Sequence, residues 1–257
     1  MRIWYQSGAP LGKDPLWKPY EESLKGHLQR SVRPGTTVDV HGVELDCPVR
    51  DRTHYIQYLD TAQWIDNAIA AEKEGYDAFA GGCMLDTGWL QIREVVDIPV
   101  TFISQTSLHF ACLLGHRFSL LAYEESMLFQ IEERVRQYGL WQRYVPANRL
   151  GTTPAQLLEG FGDVSKVLEA VKKGARKAID GGADILVPAC NILTMVLVNS
   201  GIREIDGVPI LDNVGVAAKT AEMLVDLKET GTTRSRKGYH IALSKEDLDR
   251  VRQAHGD

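Results

Sequence analysis

The sequence predicts an α/β fold built on mostly parallel sheet, in two halves that resemble each other. Three observations predict it. Strand-like and helix-like segments alternate along most of the chain. Two segments share a pattern of glycine, aspartate, apolar run and cysteine: Gly75-Tyr76-Asp77 leads to Cys83, and Gly182-Ala183-Asp184 leads to Cys190, 107 residues later. Each half then returns an apolar strand that carries a proline at its start, Ile98-Pro99-Val100 and Val208-Pro209-Ile210.

The elements follow in order. Residues 2–6 read as a first strand, and residues 15–31 as a helix carrying Leu16, Leu24 and Leu28. Thr37 to Val40 is a short strand, and Asp46 to Thr53, rich in Asp, Arg and Pro, is a long loop. A helix over 60–74 has apolar positions at Ala62, Ile65, Ala68, Ile69 and Ala71. The strand ending at Cys83 precedes a helix from about Gly88 to Val95. Ile98–Ile103 is a strand and Thr106–Leu114 a helix. The second half opens with a strand over 117–123 and a helix over 126–138. Residues 141–162 hold Pro146, Gly151, Pro154 and Gly160 and read as irregular, a length typical of lids and interfaces. A helix over 163–181, the strand ending at Cys190, a strand over 208–211 and a helix from about Val214 to Leu227 complete the pattern. The polar tail from Thr230 ends in a capped helix beginning near Ser244, either a loose arm or a packing element in an oligomer.

Composition bounds the function. Hydrophobic residues at 44% and charged residues at 25% describe a globular chain able to bury a core. A net charge of −5 gives no electrostatic case for nucleic acid or an anionic membrane. No run reaches the length of a membrane span. The N-terminal run from Met1 lacks the pattern of a secretory signal, so the expected compartment is the cytoplasm, with reduced thiols. The cysteines at 47, 83, 112 and 190 lack CxxC spacing, which argues against a zinc site.

A short buried strand followed by a helix start fits both Cys83 and Cys190. Each thiol is therefore expected at the C-terminal edge of parallel sheet, where backbone N–H groups and a helix dipole favour a thiolate. A duplication places the two across a cleft, the usual ligand position beyond strand C-termini. Two such thiols suit racemisation next to a carbonyl: one takes the proton from one face, the other returns a proton to the opposite face. Backbone N–H groups after each cysteine stabilise the enolate oxygen, and no metal or cofactor is required. The plain alternative is that both are small buried hydrophobes, the reading that holds for Cys112 in its apolar helix; Cys47 sits in a loop before Pro48. Gln105 and Thr106 follow a strand at the same edge as Cys83 and are candidate substrate contacts, against ordinary helix capping. Tyr123 and Glu124 end the next strand and are candidates to line the cleft, against the more ordinary reading of a solvated loop. His109 and His116 read as helix-surface residues, Asp212 as a helix cap, and Arg134, Arg136 and Arg143 as solvated surface.

These residues carry a family resemblance. Gly82-Cys83-Met84-Leu85-Asp86-Thr87-Gly88, Arg93-Glu94 and Asp97-Ile98-Pro99-Val100 resemble the first-half pattern of the aspartate/glutamate/hydantoin racemase superfamily. Gly182 to Val187 with Cys190, and Val208 to Asp212 with Ala217-Ala218-Lys219, resemble its second half and closing segment. The similarity runs from about residue 2 to residue 228 and is best with the hydantoin racemase branch. It implies two pseudo-symmetric α/β lobes, residues 1–115 with 213–257 and residues 116–212, with the active site between them. It implies Cys83 and Cys190 as the acid/base pair. It also implies that the backbone at Met84 and Asn191, with the side chains of Asn191 and Thr194, holds the substrate's polar atoms.

Departures from the pattern leave the substrate open. Gln6-Ser7-Gly8 stands where the hydantoin branch has Asn-Pro-Asn, which makes Gln6 and Ser7 candidate replacements for those contacts. Thr87 replaces a proline, Ala189 a glycine, and Asn191 resembles the Cys-Asn element of amino-acid racemases. The leading expectation is thus a cofactor-independent racemase or epimerase acting on a small molecule, as a homo-oligomer. The runner-up is a cis–trans isomerase of an unsaturated acid or amide, in which one thiolate adds to a double bond and leaves after rotation. A malonate-type decarboxylase and a non-catalytic small-molecule binder stand behind them.

Overall fold

The computed structural model describes residues 1–44, 53–147, 149–239 and 241–255. Cys47 and the expected loop from Asp46 through Arg52 lie outside the described residues. The first sheet has the order β2-β1-β3-β4 and is parallel throughout, from β1 (Arg2–Ser7), β2 (Thr37–His41), β3 (Ala78–Gly82) and β4 (Val100–Phe102). The second is built on β5 (Phe118–Leu121) paired in parallel with β6 (Ile185–Pro188). Single parallel bridges extend it on both sides, Tyr144 beside Phe118 and Ile210 beside Leu186. The second sheet therefore repeats the strand order of the first, with two of its four members reduced to one residue.

β1 shows how the sheet sorts its side chains. Successive strand residues face opposite sides. Ile3 and Tyr5 enter the large core shared with the second sheet. Trp4 enters a separate outer cluster with Trp64, Phe79, Trp89 and Phe102. The outer face is covered by α2 (His54–Lys73) and α3 (Trp89–Val95), and α1 (Lys18–Ser31) packs against β2. In α1 the buried stripe is Tyr20, Leu24 and Leu28, whereas Leu16 lies in a short turn before the helix and is exposed.

Two helices cross between the sheets. α4 (Ile103–Leu114) continues from β4 of the first sheet, stays in contact with β3 and β4, and packs against β5, β6 and α5 (Glu125–Gln137) of the second half. α9 (Asn213–Glu229) follows the second sheet but packs against α1, β3 and β4. The two also pack against each other. α4 begins at Ile103, three residues earlier than the sequence predicts, because Asp86 supplies a remote cap described below. The expected strand over 208–211 shrinks to the antiparallel pair β7 (Glu204–Ile205) and β8 (Val208–Pro209) plus the Ile210 bridge.

The stretch 141–162 is less irregular than expected. It holds a helical turn at Trp141–Arg143, the Tyr144 bridge and α6 (Pro154–Glu159), started by a capping box between Thr153 and Gln156. The remaining helices are α7 (Ser165–Asp180), α8 (Asn191–Asn199) and α10 (Lys245–His255). The tail folds back on its own chain: Leu243 N–H donates to the Glu94 carbonyl at 3.0 Å, Arg252 pairs with Asp66 at 2.5 Å, and Leu248 packs on the outer cluster. The arginines read as solvated surface are engaged too. Arg134 donates to the Leu85 carbonyl at 3.0 Å, Arg143 to the Gly115 carbonyl at 2.7 Å, and Arg136 stacks 3.6 Å over Trp141.

Candidate active site

The C-terminal ends of β1, β3 and β6 open onto one cleft of about 480 Å³, mouth included. β1 brings Ser7 and Gly8, β3 brings Gly82 and Cys83, and β6 leads through Ala189 to Cys190. Both cysteines line this cleft, both are partly exposed, and neither is in a disulfide. The chain passes close to the first thiol: a Cβ added at Gly8 would lie 3.7 Å from Cys83 Sγ. Met84, Trp17, Met127 and Ile192 supply apolar walls.

The two thiols stand in different local structures. Cys190 is the residue before α8, with extended backbone (φ −156°, ψ 137°), so the positive end of a nine-residue helix lies directly after it. Its carbonyl accepts from the Thr194 amide at 3.0 Å and the Thr194 hydroxyl at 3.1 Å. Cys83 instead opens a tight turn in which the Asp86 amide donates to the Cys83 carbonyl at 2.9 Å, and α3 starts only at Trp89. The expected helix start at Cys83 is thus a turn. Its cause is Asp86, in the left-handed region at φ +49° and fully buried. The Asp86 carboxylate accepts from the amides of Ser104 (2.8 Å) and Gln105 (2.9 Å) at the start of α4, and from the Tyr138 hydroxyl. Burial pushes its pKa up to about 6, with these bonds pulling the other way.

Asn191 joins the two sheets at the cleft. Its amide donates to the Gly82 carbonyl at 2.7 Å and to the Tyr5 hydroxyl at 3.0 Å. Its Oδ1 is buried and accepts from no group among the described residues. Tyr20, from α1, also lines the cleft. Burial raises the pKa of Tyr20 well above the usual tyrosine range; hydrogen bonding to Ser7 and Asn191 opposes this, while charge at Cys190 or Cys83 adds to it. Burial does the same for Tyr5, with Cys83 among the charges that add to it. Both phenols stay protonated at neutral pH, Tyr20 on the cleft wall and Tyr5 buried behind it against Asn191.

Of the residues the sequence nominates, Cys83, Cys190, Ser7, Met84 and Asn191 meet at the cleft. Gln6, Gln105, Thr106, Tyr123 and Thr194 are not among its lining residues. Gln6 is the even member of β1, so its side chain turns to the outer face. There it accepts from Trp4 Nε1 (3.2 Å) and Asn67 (2.8 Å) and donates to the Gly42 carbonyl at 2.9 Å. Gln105 and Thr106 lie in the first turn of α4: the Gln105 side-chain Oε1 accepts from Arg93 at 2.6 Å, and Thr106 donates to the Phe102 carbonyl at 3.0 Å. Tyr123 is buried in the shared core, and the Thr194 hydroxyl is spent on Cys190. Asp212 caps α9 by accepting from the Gly215 amide at 3.0 Å, and His109 and His116 are exposed, as expected.

Sequence reasoning passes over Tyr20, Trp17, Met127 and Asn213. Tyr20 carries a signal, since it continues the four-residue spacing of Leu24 and Leu28. Asn213 donates to the Pro188 carbonyl and reaches Met84 Sδ at 3.6 Å, tying the end of β6 to the residue after Cys83. Among the described residues no group of three or more His, Cys, Asp or Glu is placed to hold a metal ion, and no helix is long and apolar enough to cross a membrane.

Two parallel sheets of matching strand order, closed by exchanged helices over one shared cleft, define a two-lobed α/β protein with a thiol-lined ligand cleft. More particularly, the chain belongs to the Asp/Glu/Hydantoin racemase family, whose model matches residues 19–221. A hydantoin racemase of Pseudomonas sp. (strain NS671) is 29% identical over 192 residues, 74% of this chain and 75% of the relative. A hydantoin racemase of Paenarthrobacter aurescens is 27% identical over 210 residues, 80% of this chain and 86% of the relative. In fold, the allantoin racemase of Pseudomonas fluorescens superposes with a TM-score of 0.80 at 23% identity, covering 95% of this chain and 97% of that one.

Proposed function

We propose that this chain racemises an uncharged cyclic amide of the hydantoin type with an apolar substituent on the carbon next to the carbonyl, using Cys83 and Cys190 as the acid/base pair. The observation that carries the reading is the lining of the cleft. Both thiols are on it, and among the described residues it holds no Lys, Arg, His, Asp or Glu side chain. A free amino acid, an unsaturated dicarboxylate or a malonate brings charges that need partners when buried. A hydantoin ring brings carbonyl groups and N–H groups instead. The hydantoin racemases to which the chain is similar point the same way.

In the reaction, one cysteine thiolate takes the proton from the ring carbon, and the electron pair moves onto the adjacent carbonyl oxygen. The other thiol then returns a proton to the opposite face. Thiol and thiolate have exchanged places, and the reverse reaction begins from that state. The backbone amides after Cys83 and at the start of α8, with the Tyr20 hydroxyl, stabilise the enolate oxygen. The open Oδ1 of Asn191 accepts a ring N–H, Ser7 contacts the ring's polar edge, and Trp17, Met127 and Ile192 hold the substituent. Gln6, Gln105, Thr106, Tyr123 and Thr194 act behind this layer as supports.

The division of the chain into residues 1–115 with 213–257 and residues 116–212 fits this scheme, one lobe presenting each sulfur. The cytoplasm, where thiols stay reduced, suits the chemistry. Exposed Leu113, Leu114 and Phe129 support self-association. The test is incubation of single enantiomers of 5-alkyl and 5-benzyl hydantoins with the enzyme in D₂O. Loss of optical rotation with one deuterium gained per inversion is expected. Enantiomers that keep both their rotation and their α-hydrogen, while a cis-enedioic amide is isomerised without deuterium uptake, would favour the cis–trans reading.

A further inference from the structure

Away from the catalytic cleft, the folded-back tail closes a second cavity over β4 and α9, of about 1130 Å³ with its mouth, more than twice the catalytic one. Among the described residues four cationic side chains line it, Arg93, Lys228, Arg234 and Arg236, against one carboxylate, Asp97. This is a local reversal of sign in a chain whose net charge is −5. The single carboxylate is already engaged, because Arg236 pairs with it. Lys228 donates to the Asp97 carbonyl at 3.2 Å, and Arg93 to Val100 and Gln105. Arg234 is the exception: its Nη2 donates to the Val96 carbonyl, but its Nη1 is buried and donates to no group among the described residues. Burial and the neighbouring Arg236 push the Arg234 pKa down to about 10, with Asp97 and Glu72 pulling the other way. Beside these cations the wall is apolar, formed by Ile98, Pro99, Val100 and Leu224.

We infer that this cavity is a second binding site, for a small organic carboxylate bearing an apolar group. A guanidinium with a buried, open N–H matches a carboxylate oxygen, and its neighbours supply further charge-assisted donors. The Ile98–Val100 wall selects for a hydrophobic body beside the charge, which separates such a ligand from inorganic phosphate. The site stands independently of the reaction assigned to the cleft, since it shares no lining residue with it.

Isothermal titration of the full chain with sodium phenylacetate, and separately with inorganic phosphate at matched ionic strength, tests the inference. Phenylacetate is expected to bind saturably with a Kd below about 1 mM and more tightly than phosphate. R234Q and K228E are each expected to weaken it by roughly tenfold or more, the scale of one charge-assisted hydrogen bond. Lys228 is on α9 rather than in the tail, so K228E reports on the site even if R234Q loosens the tail. The C83S/C190S double variant is expected to bind phenylacetate as the parent does. Absence of saturation at about 10 mM, an unchanged Kd in K228E, tighter binding of phosphate, or loss of binding in the double cysteine variant would each overturn it.

Discussion

The two cysteine corners of this molecule come from matching strands and yet are built differently. After β6, Cys190 runs straight into α8, and its sulfur lies beside a helix terminus. After β3, Cys83 enters a turn whose geometry is fixed by a buried aspartate that also caps a helix 17 residues further on, from Asp86 to Ile103. The residue before each cysteine differs for a steric reason. A Cβ on Gly82 would lie 2.5 Å from the Tyr5 ring, so this half requires glycine, while the other half accommodates Ala189 in the core. A repeated topology therefore does not give equivalent sites. The same chemical group is held by a helix dipole on one side and by a hydrogen-bonded turn on the other.

The largest expected effect tests whether the two corners are equally needed. Cys83→Ser and Cys190→Ser should each lower kcat for racemisation by about 10²–10⁴-fold, the range for a general acid or base. Each should leave solvent exchange from only one enantiomer, and not the same one. Cys112→Ser, in α4, should leave kcat intact. Equal activity of all three variants in a polarimetric assay refutes the pairing.

Next in size is a stability effect with a pH signature confined to the first corner. Asp86 is pushed from 3.8 up to about 6 by burial, so the folded state binds its proton more tightly than the unfolded chain does. Its stabilising contribution is full below about pH 4, falls as the pH rises towards 6, and stays lost above that, a change of about 3 kcal/mol. Asp86→Asn should flatten this slope in urea midpoints measured from pH 4 to 7. An identical slope in parent and variant removes Asp86 as its source.

Smaller still is the packing difference. Gly82→Ala should cost about 1–3 kcal/mol by overpacking against Tyr5. The reciprocal Ala189→Gly should cost only about 0.5–1 kcal/mol, mainly through chain entropy. Denaturant midpoints of the two variants compare them directly, and equal losses would remove the steric account.

How much of this is legible in the sequence follows from the range of each interaction. The strands and both cysteines are legible because apolar runs bounded by glycine and aspartate are local signals. The face of β1 is not. Gln6 and Ser7 are equally plausible by position, and only the pleat, set by what packs on each side, sends Gln6 outward and Ser7 to the cleft. Gln105 and Thr106 read as edge residues, but α4 starts at Ile103 because Asp86 caps it from a distant turn, and this turns both side chains onto backbone and Arg93. Tyr20 was within reach, since the helical spacing of Leu24 and Leu28 extends to it. The docked tail was not, because its anchors, Glu94, Asp66 and the Val96 carbonyl, are far away in the chain.

The exchanged helices have a mechanical consequence. Because α4 runs from one sheet to brace the other, and α9 does the reverse, the lobes are cross-laced, and swinging one away from the other would break packing on both helices. Small sliding of α4 along α9 is the motion this lacing leaves cheapest, since packed helices glide more readily than they part. Such lacing ties the Cys83 corner and the Cys190 corner to one shared cleft.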